Sequence, residues 1–225
     1  MELSKEQLLQ IDNYVFVSGI KYYDVRTEIV DHFANILEQK LEKNPDIDFR
    51  KEIENIHKNF SDKGFSKLLK EKTNSVTKTF YKDSLKHLIS FFKLPKILIS
   101  VVVFYALFLL MNYVEDKEDF FKAIAVVLIL SYFTYVSVLF FKKENKKEKF
   151  LTLNKSSHFN VIAMNIYQIF FFVTSVRSSD SFLNQTQNNI QLGVFVLILL
   201  FFWSGEYVYQ QNKKLVKEQY PNILV

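Results

Sequence analysis

The sequence predicts an all-α protein, a small cytoplasmic three-helix bundle joined by an amphipathic helix to a four-helix transmembrane bundle. Three observations give this class. The first part of the chain is charge-rich and repeats apolar residues at helical spacing. Four long apolar runs follow, Ile97 to Val114, Phe120 to Phe141, Phe159 to Val176 and Ile190 to Tyr209, each near the roughly 17–25 residues that a helix needs to cross a bilayer. Between the second and third runs lies the basic stretch Lys142-Lys143-Glu144-Asn145-Lys146-Lys147-Glu148-Lys149, which an excess of lysine places on the cytoplasmic side.

Ser4 followed by Gln7 is a capping-box pattern, and Leu8, Ile11, Tyr14 and Val15 then recur on one face, so a first helix runs from about Ser4 to Val17. Gly19 ends it, because a residue without Cβ suits the left-handed cap. Val25, Ile29, Phe33, Ile36, Leu37 and Leu41 mark a second helix from about Tyr22 to Lys43, stopped at Asn44-Pro45. Asp48 is the expected N-cap of a third, carrying Phe49, Ile53, Ile56 and Phe60. Helices this short are marginal in water, so their apolar stripes must pack together or on a partner.

The runs Ile11-Asp12-Asn13-Tyr14 and Ser18-Gly19-Ile20-Lys21-Tyr22-Tyr23-Asp24-Val25-Arg26-Thr27-Glu28-Ile29-Val30-Asp31-His32 resemble the N-terminal domain of multi-span membrane proteins of Bacteroidetes-type bacteria. More distantly they are similar to the HAAS signalling domain, with its short helix, its Arg-x-Glu-x-x-Asp-His helix and a third helix ahead of the spans. The similarity covers about residues 4 to 70. It implies a cytoplasmic regulatory or interaction module with no catalytic motif, and Asp24, Arg26, Glu28, Asp31 and His32 become the candidate partner-binding residues. Glu28 and His32 also lie one turn apart, as metal ligands can, but the absence of a second ligand cluster favours a polar face with i,i+4 contacts.

Residues 71–95 read as a basic amphipathic joint. Lys78, Lys82 and Lys86 follow at four-residue spacing while Phe80, Leu85, Leu88, Ile89 and Phe92 fill the remaining arc. Such a helix can lie among headgroups with its lysines towards anionic lipid, or pack on the bundle. The domains are thus 1–70, the joint 71–95, the four-span region 96–210 and a cytoplasmic tail 211–225. Lys142, Lys143, Lys146 and Lys147 join the joint's lysines as membrane-surface residues. The acidic first loop, the lysine-rich second loop and Lys213, Lys214 and Lys217 in the tail put both termini in the cytoplasm of an inner-membrane, multi-pass protein.

Polar residues inside spans are where function in lipid shows, and Asn165, Gln168 and Glu206 form the candidate intramembrane site. Asn165 and Gln168 are expected to hydrogen-bond between helices, and Glu206 to reach the interface. Ser131, Thr134 and Ser137 make a small stripe suited to close helix contact. The chain has no cysteine, which excludes disulfides, thiolate metal sites and a cysteine nucleophile. Only four glycines are present, and no phosphate loop or hydrolase motif occurs. The net charge of +5 comes mainly from segments flanking the apolar runs, which points to membrane orientation and not to nucleic acid. The expected function is therefore non-catalytic, a regulatory or interaction protein without metal or cofactor whose partners are the lipid bilayer and another protein or a second copy. The alternative is an accessory or structural subunit of a transport or secretion complex, or a small transporter.

Overall fold

Ser4 starts the first helix as its position requires. Its hydroxyl accepts from the Gln7 amide at 3.2 Å, and the Gln7 side chain accepts from the Ser4 amide at 2.8 Å, which closes the capping box. In the computed structural model, which describes residues 2–60, 64–143, 148–221 and 223, every named element is helical. They are α1 (Lys5–Val17), α2 (Tyr23–Lys43), α3 (Phe49–Phe60), α4 (Gly64–Ser90), α5 (Ile97–Tyr113), α6 (Lys117–Lys143), α7 (Leu151–Ser175), a short 3-10 helix (Ser179–Leu183) and α8 (Gln185–Gln219). Gly19 has φ of 105° and its neighbour Ile20 donates to the Val15 carbonyl at 3.2 Å, so α1 ends in the left-handed cap that glycine permits. Asp48 caps α3 through the Lys51 amide at 3.2 Å.

The chain divides into two compact units. The first holds residues 1–79, 147–155 and 221–225. Its core is the predicted stripe of each N-terminal helix: Ile11 and Val15 from α1, Val25, Ile29, Phe33 and Leu37 from α2, and Ile53 and Ile56 from α3. Phe65 on α4 and Leu151 at the start of α7 complete it. Full burial of each such side chain contributes about 1.5–3 kcal/mol, and this small domain draws part of that from a residue far down the chain.

The second unit holds residues 80–146 and 156–220. Met111, Phe121, Leu128, Phe170, Phe182, Leu192 and Phe195 pack together here from α5, α6, α7, the 3-10 helix and α8. The C-terminal part of α4 belongs to this unit, with Phe80 packed on Val208 of α8, and Phe91, in the turn just after α4, packs on Val196 and Leu200 of α8. Lys82 and Lys86 point away from that contact and are exposed, as is Lys78 just before it.

The helices outrun the apolar stretches that foretell them. The polar residues Gln185 to Asn189, read from sequence as loop, form the first turn of α8 because the Asn184 side chain accepts from the Thr186 and Gln187 amides at 3.0 and 3.2 Å. At its other end α8 continues through Lys213, Lys214 and Lys217, so much of the expected tail is helix. Among the described residues one helix, Gln185–Gln219, is long and apolar enough to cross a membrane, and Ile97–Tyr113 is an apolar helix of 17 residues.

Candidate functional site

The densest polar cluster of the first unit joins α2 to the segment that enters α7. Asp24, in the first turn of α2, turns its carboxylate to the N-terminus of α7. One oxygen accepts from the Leu151 amide at 2.9 Å, and the other from the Thr152 amide and hydroxyl, each at 3.2 Å. These amides are among the four that a helix leaves without internal partners, and an anion there also meets the positive end of the helix dipole. Asp24 therefore caps a helix that begins 127 positions later. The Tyr23 amide donates to the Lys149 carbonyl at 2.7 Å, and Asn154 donates to the Tyr22 hydroxyl at 2.9 Å.

Arg26 lies beneath this contact and is only 4% exposed. Its Nε donates to Asp12 of α1 at 2.7 Å and its Nη2 to Glu148 at 2.8 Å. Burial disfavours the charged guanidinium, but its hydrogen bonds to the Glu148 and Asp12 carboxylates outweigh it and hold the pKa above its ordinary value. The guanidinium also sits over the rings of Phe16 and Tyr23, 5.2 and 5.3 Å from their centroids. Its Nη1 is buried without a hydrogen-bond partner among the described residues. One side chain thus ties α1, α2 and the segment before α7.

The five residues expected to bind a partner fall into two groups. Asp24 and Arg26 form this clamp. Glu28, Asp31 and His32 are exposed on α2 and line, with Ile29, Asn35 and Leu68, an open hollow of about 430 Å³. Glu28 pairs there with Lys72 at 2.6 Å. No group of three or more His, Asp or Glu able to hold a metal occurs among the described residues.

The clamp bears on an electrostatic docking of the lysine-rich loop against the acids of α2, an arrangement that the sequence suggests. The described part of the contact has the opposite polarity at its centre, with the cation on α2 and the carboxylate, Glu148, on the incoming segment. Asp24 meets backbone amides and a hydroxyl instead of lysines. Lys146 and Lys147 lie outside the described residues, and so do the side chains of Lys142 and Lys143, which sit in the last turn of α6. The amide capping was illegible in sequence, since nothing local to Asp24 announces a distant helix end.

In the second unit the candidate intramembrane residues do not converge. Asn165 and Gln168 are exposed on α7 and have no hydrogen-bond partner among the described residues. Glu206 on α8 accepts from the Gln210 side chain through Oε1, while its Oε2 is buried without a hydrogen-bond partner among the described residues. Ser131, Thr134 and Ser137 are also exposed and donate to carbonyls of their own helix.

Two polar clusters that sequence did not single out stand at the ends of this unit. Lys96 meets His87 Nε2 at 3.1 Å and Ser90 Oγ at 3.3 Å, while the His87 ring stacks on Tyr207 with centroids 4.0 Å apart. Burial, then the charge of Lys96, push the His87 pKa down. Arg177 donates to Ser181 Oγ at 3.0 Å, the Ser181 carbonyl at 2.7 Å, Asn188 Oδ1 at 2.9 Å and Gln191 Oε1, and lies 4.0 Å from the Phe182 ring centroid. All four acceptors are neutral, and burial pushes the arginine pKa down. The only sequence signal was a single arginine among Ser, Asn and Gln at a predicted loop.

No family model, curated protein or solved structure matches the chain.

Proposed function

We propose that the chain is a bacterial inner-membrane regulatory or interaction protein, without catalysis, whose HAAS-like N-terminal bundle acts on a four-span membrane domain through the segment Glu148 to Thr152. The observation that carries this reading is the clamp. Asp24 and Arg26 hold the residues from which α7 starts, and the rest of α7 belongs to the second unit. A partner that shifts α2, by binding the exposed Glu28, Asp31 and His32, would change the capping of a membrane helix.

The membrane assignment is supported by the length and composition of α8 and by what the second unit turns outward. Val102 and Tyr105 of α5, Val127 and Leu130 of α6, Phe172 of α7 and Val194 of α8 are all exposed. Apolar residues facing out in such number on four helices suit lipid, where a water-soluble surface would carry polar groups. In this reading both termini and the loop around Asn145 lie in the cytoplasm, and the loop around Asn184 lies outside. Nothing favours transport, since Asn165 and Gln168 face outward and do not meet Glu206.

Because the chain lacks cysteine, Asn145→Cys and Asn184→Cys can each be probed in intact cells with an impermeant thiol reagent. Labelling at 184 and protection at 145 are expected; labelling at 145 from outside would overturn the topology. Hydrogen exchange on the full chain in detergent tests the coupling. Asp24→Ala should speed exchange at residues 151–155 and in the following turns of α7, and a change confined to 149–152 would sink it.

A further inference from the structure

The outward position of two carboxamides on α7 remains to be accounted for, and its explanation rests on reading α7 as a membrane span. Asn165 and Gln168 lie on the face opposite Phe170 and Thr174, each of which is 4% exposed and turned into the unit. Gln168 is nine residues from Phe159 and eight from Val176, so at 1.5 Å per residue it sits roughly 12 Å from either end of the span, beyond the reach of its side chain to water. The outward hydroxyls of α6 need no outside partner. Ser131, Thr134 and Ser137 donate to their own helix carbonyls at 2.8 Å. A carboxamide has two donors and an acceptor with two lone pairs, and neither Asn165 nor Gln168 has a partner among the described residues.

We infer that this face of α7 is covered by the same face of a second copy, making the protein a homodimer in the membrane through Asn165 and Gln168. Lipid tails offer these groups nothing. The two carboxamides carry no charge, so the face does not select an oppositely charged partner. What they offer is donors and acceptors together, which a copy related by a two-fold axis answers with the same set. Interhelical carboxamide bonds of this kind are a recognised means of association in lipid. Ile169 and Phe172, both exposed beside them, supply apolar contact around the polar pair.

The test is disulfide cross-linking of the full chain in native membranes, possible because every cysteine would be introduced. Phe172→Cys lies one turn beyond Gln168, and Leu109→Cys, exposed on α5, is the control. Mild oxidation should give a product of twice the chain mass several-fold more readily from F172C than from L109C. Adding Asn165→Leu and Gln168→Leu to F172C should lower that yield roughly tenfold, as expected for losing interhelical polar contacts in both copies. Gln168→Asn, which keeps the chemistry, should retain most of it. Equal yields from both cysteines, a yield unmoved by the leucine substitutions, or a product of another mass would overturn the inference. If alkaline carbonate releases the chain from membranes, the membrane reading falls and this with it; a carbonate-resistant chain without an F172C dimer defeats the dimer alone.

Discussion

Arg26 is the residue on which most of the polar structure of the first unit turns. Removing it leaves Asp12 and Glu148, which are 32% and 29% exposed, without their shared cation, and each hydrogen bond between charged groups lost in this way is worth about 1.5–3 kcal/mol. Arg26→Ala should therefore lower the thermal midpoint of the full chain sharply, measured by far-UV circular dichroism in detergent, and Arg26→Lys should rescue only part because one ammonium cannot reach both carboxylates in the same fork. His57 sets a pH dependence. Its ring stacks on Phe65 at 4.1 Å, its Nδ1 meets the Tyr14 hydroxyl at 2.8 Å, and burial holds its pKa below the ordinary 6.5. The unfolded chain thus binds the proton more readily than the folded one. This contribution to stability is complete above pH 6.5 and is lost as pH falls through the lowered folded pKa. Urea midpoints taken from pH 7.5 downward should fall less in His57→Phe than in the parent. His87, also depressed, adds a parallel loss of its own.

Elements give predictions of a different size, because a cap or a helix contact is worth less than a buried ion pair. Ser4→Ala should cost about 1 kcal/mol through the capping box. Gly19→Ala should cost about 1–2 kcal/mol although a Cβ at that position meets nothing within 4 Å, since the penalty lies in the positive φ and not in a clash. Ser84 is the opposite case. It is 1% exposed on α4, and its hydroxyl is buried without a partner among the described residues, so Ser84→Ala should leave the thermal midpoint unchanged or raise it slightly. Ser84→Leu should lower it by overfilling this buried site. The local grammar of these elements was legible in sequence: Ser4 and Gln7, Gly19 and Asp48 each do what their spacing announces. The ends of α7 and α8 were not, because apolar runs mark where a helix is greasy and not where its hydrogen bonds stop. Asn184 and Asp24 settle those ends, one by a local side chain and the other from across the chain.

At the scale of the whole molecule, the helical class and the core stripes of α1 to α3 followed from periodicity alone. The packing of α4 and of the turn that follows it on α8 did not, since Phe80 and Phe91 lie at a spacing that suits a headgroup layer as well as a neighbouring helix. Nor could composition tell that Asp24 and Arg26 would part company from Glu28, Asp31 and His32, for all five share one short stretch and only tertiary packing separates a clamp from an open face. The Asp24 and Arg26 contacts also set an order of events during synthesis. Glu148 stands 122 residues after Arg26 and Leu151 stands 127 after Asp24, so the N-terminal helices leave the ribosome long before the groups that complete them exist. Until then Arg26 has only Asp12, and the core position that Leu151 fills is vacant. Nascent chains stalled shortly after α6 should be cleaved by added protease within α1 to α3, and chains stalled far enough past Thr152 for that residue to have cleared the ribosome should resist, so the bundle reaches maturity only once half of the second unit has been made.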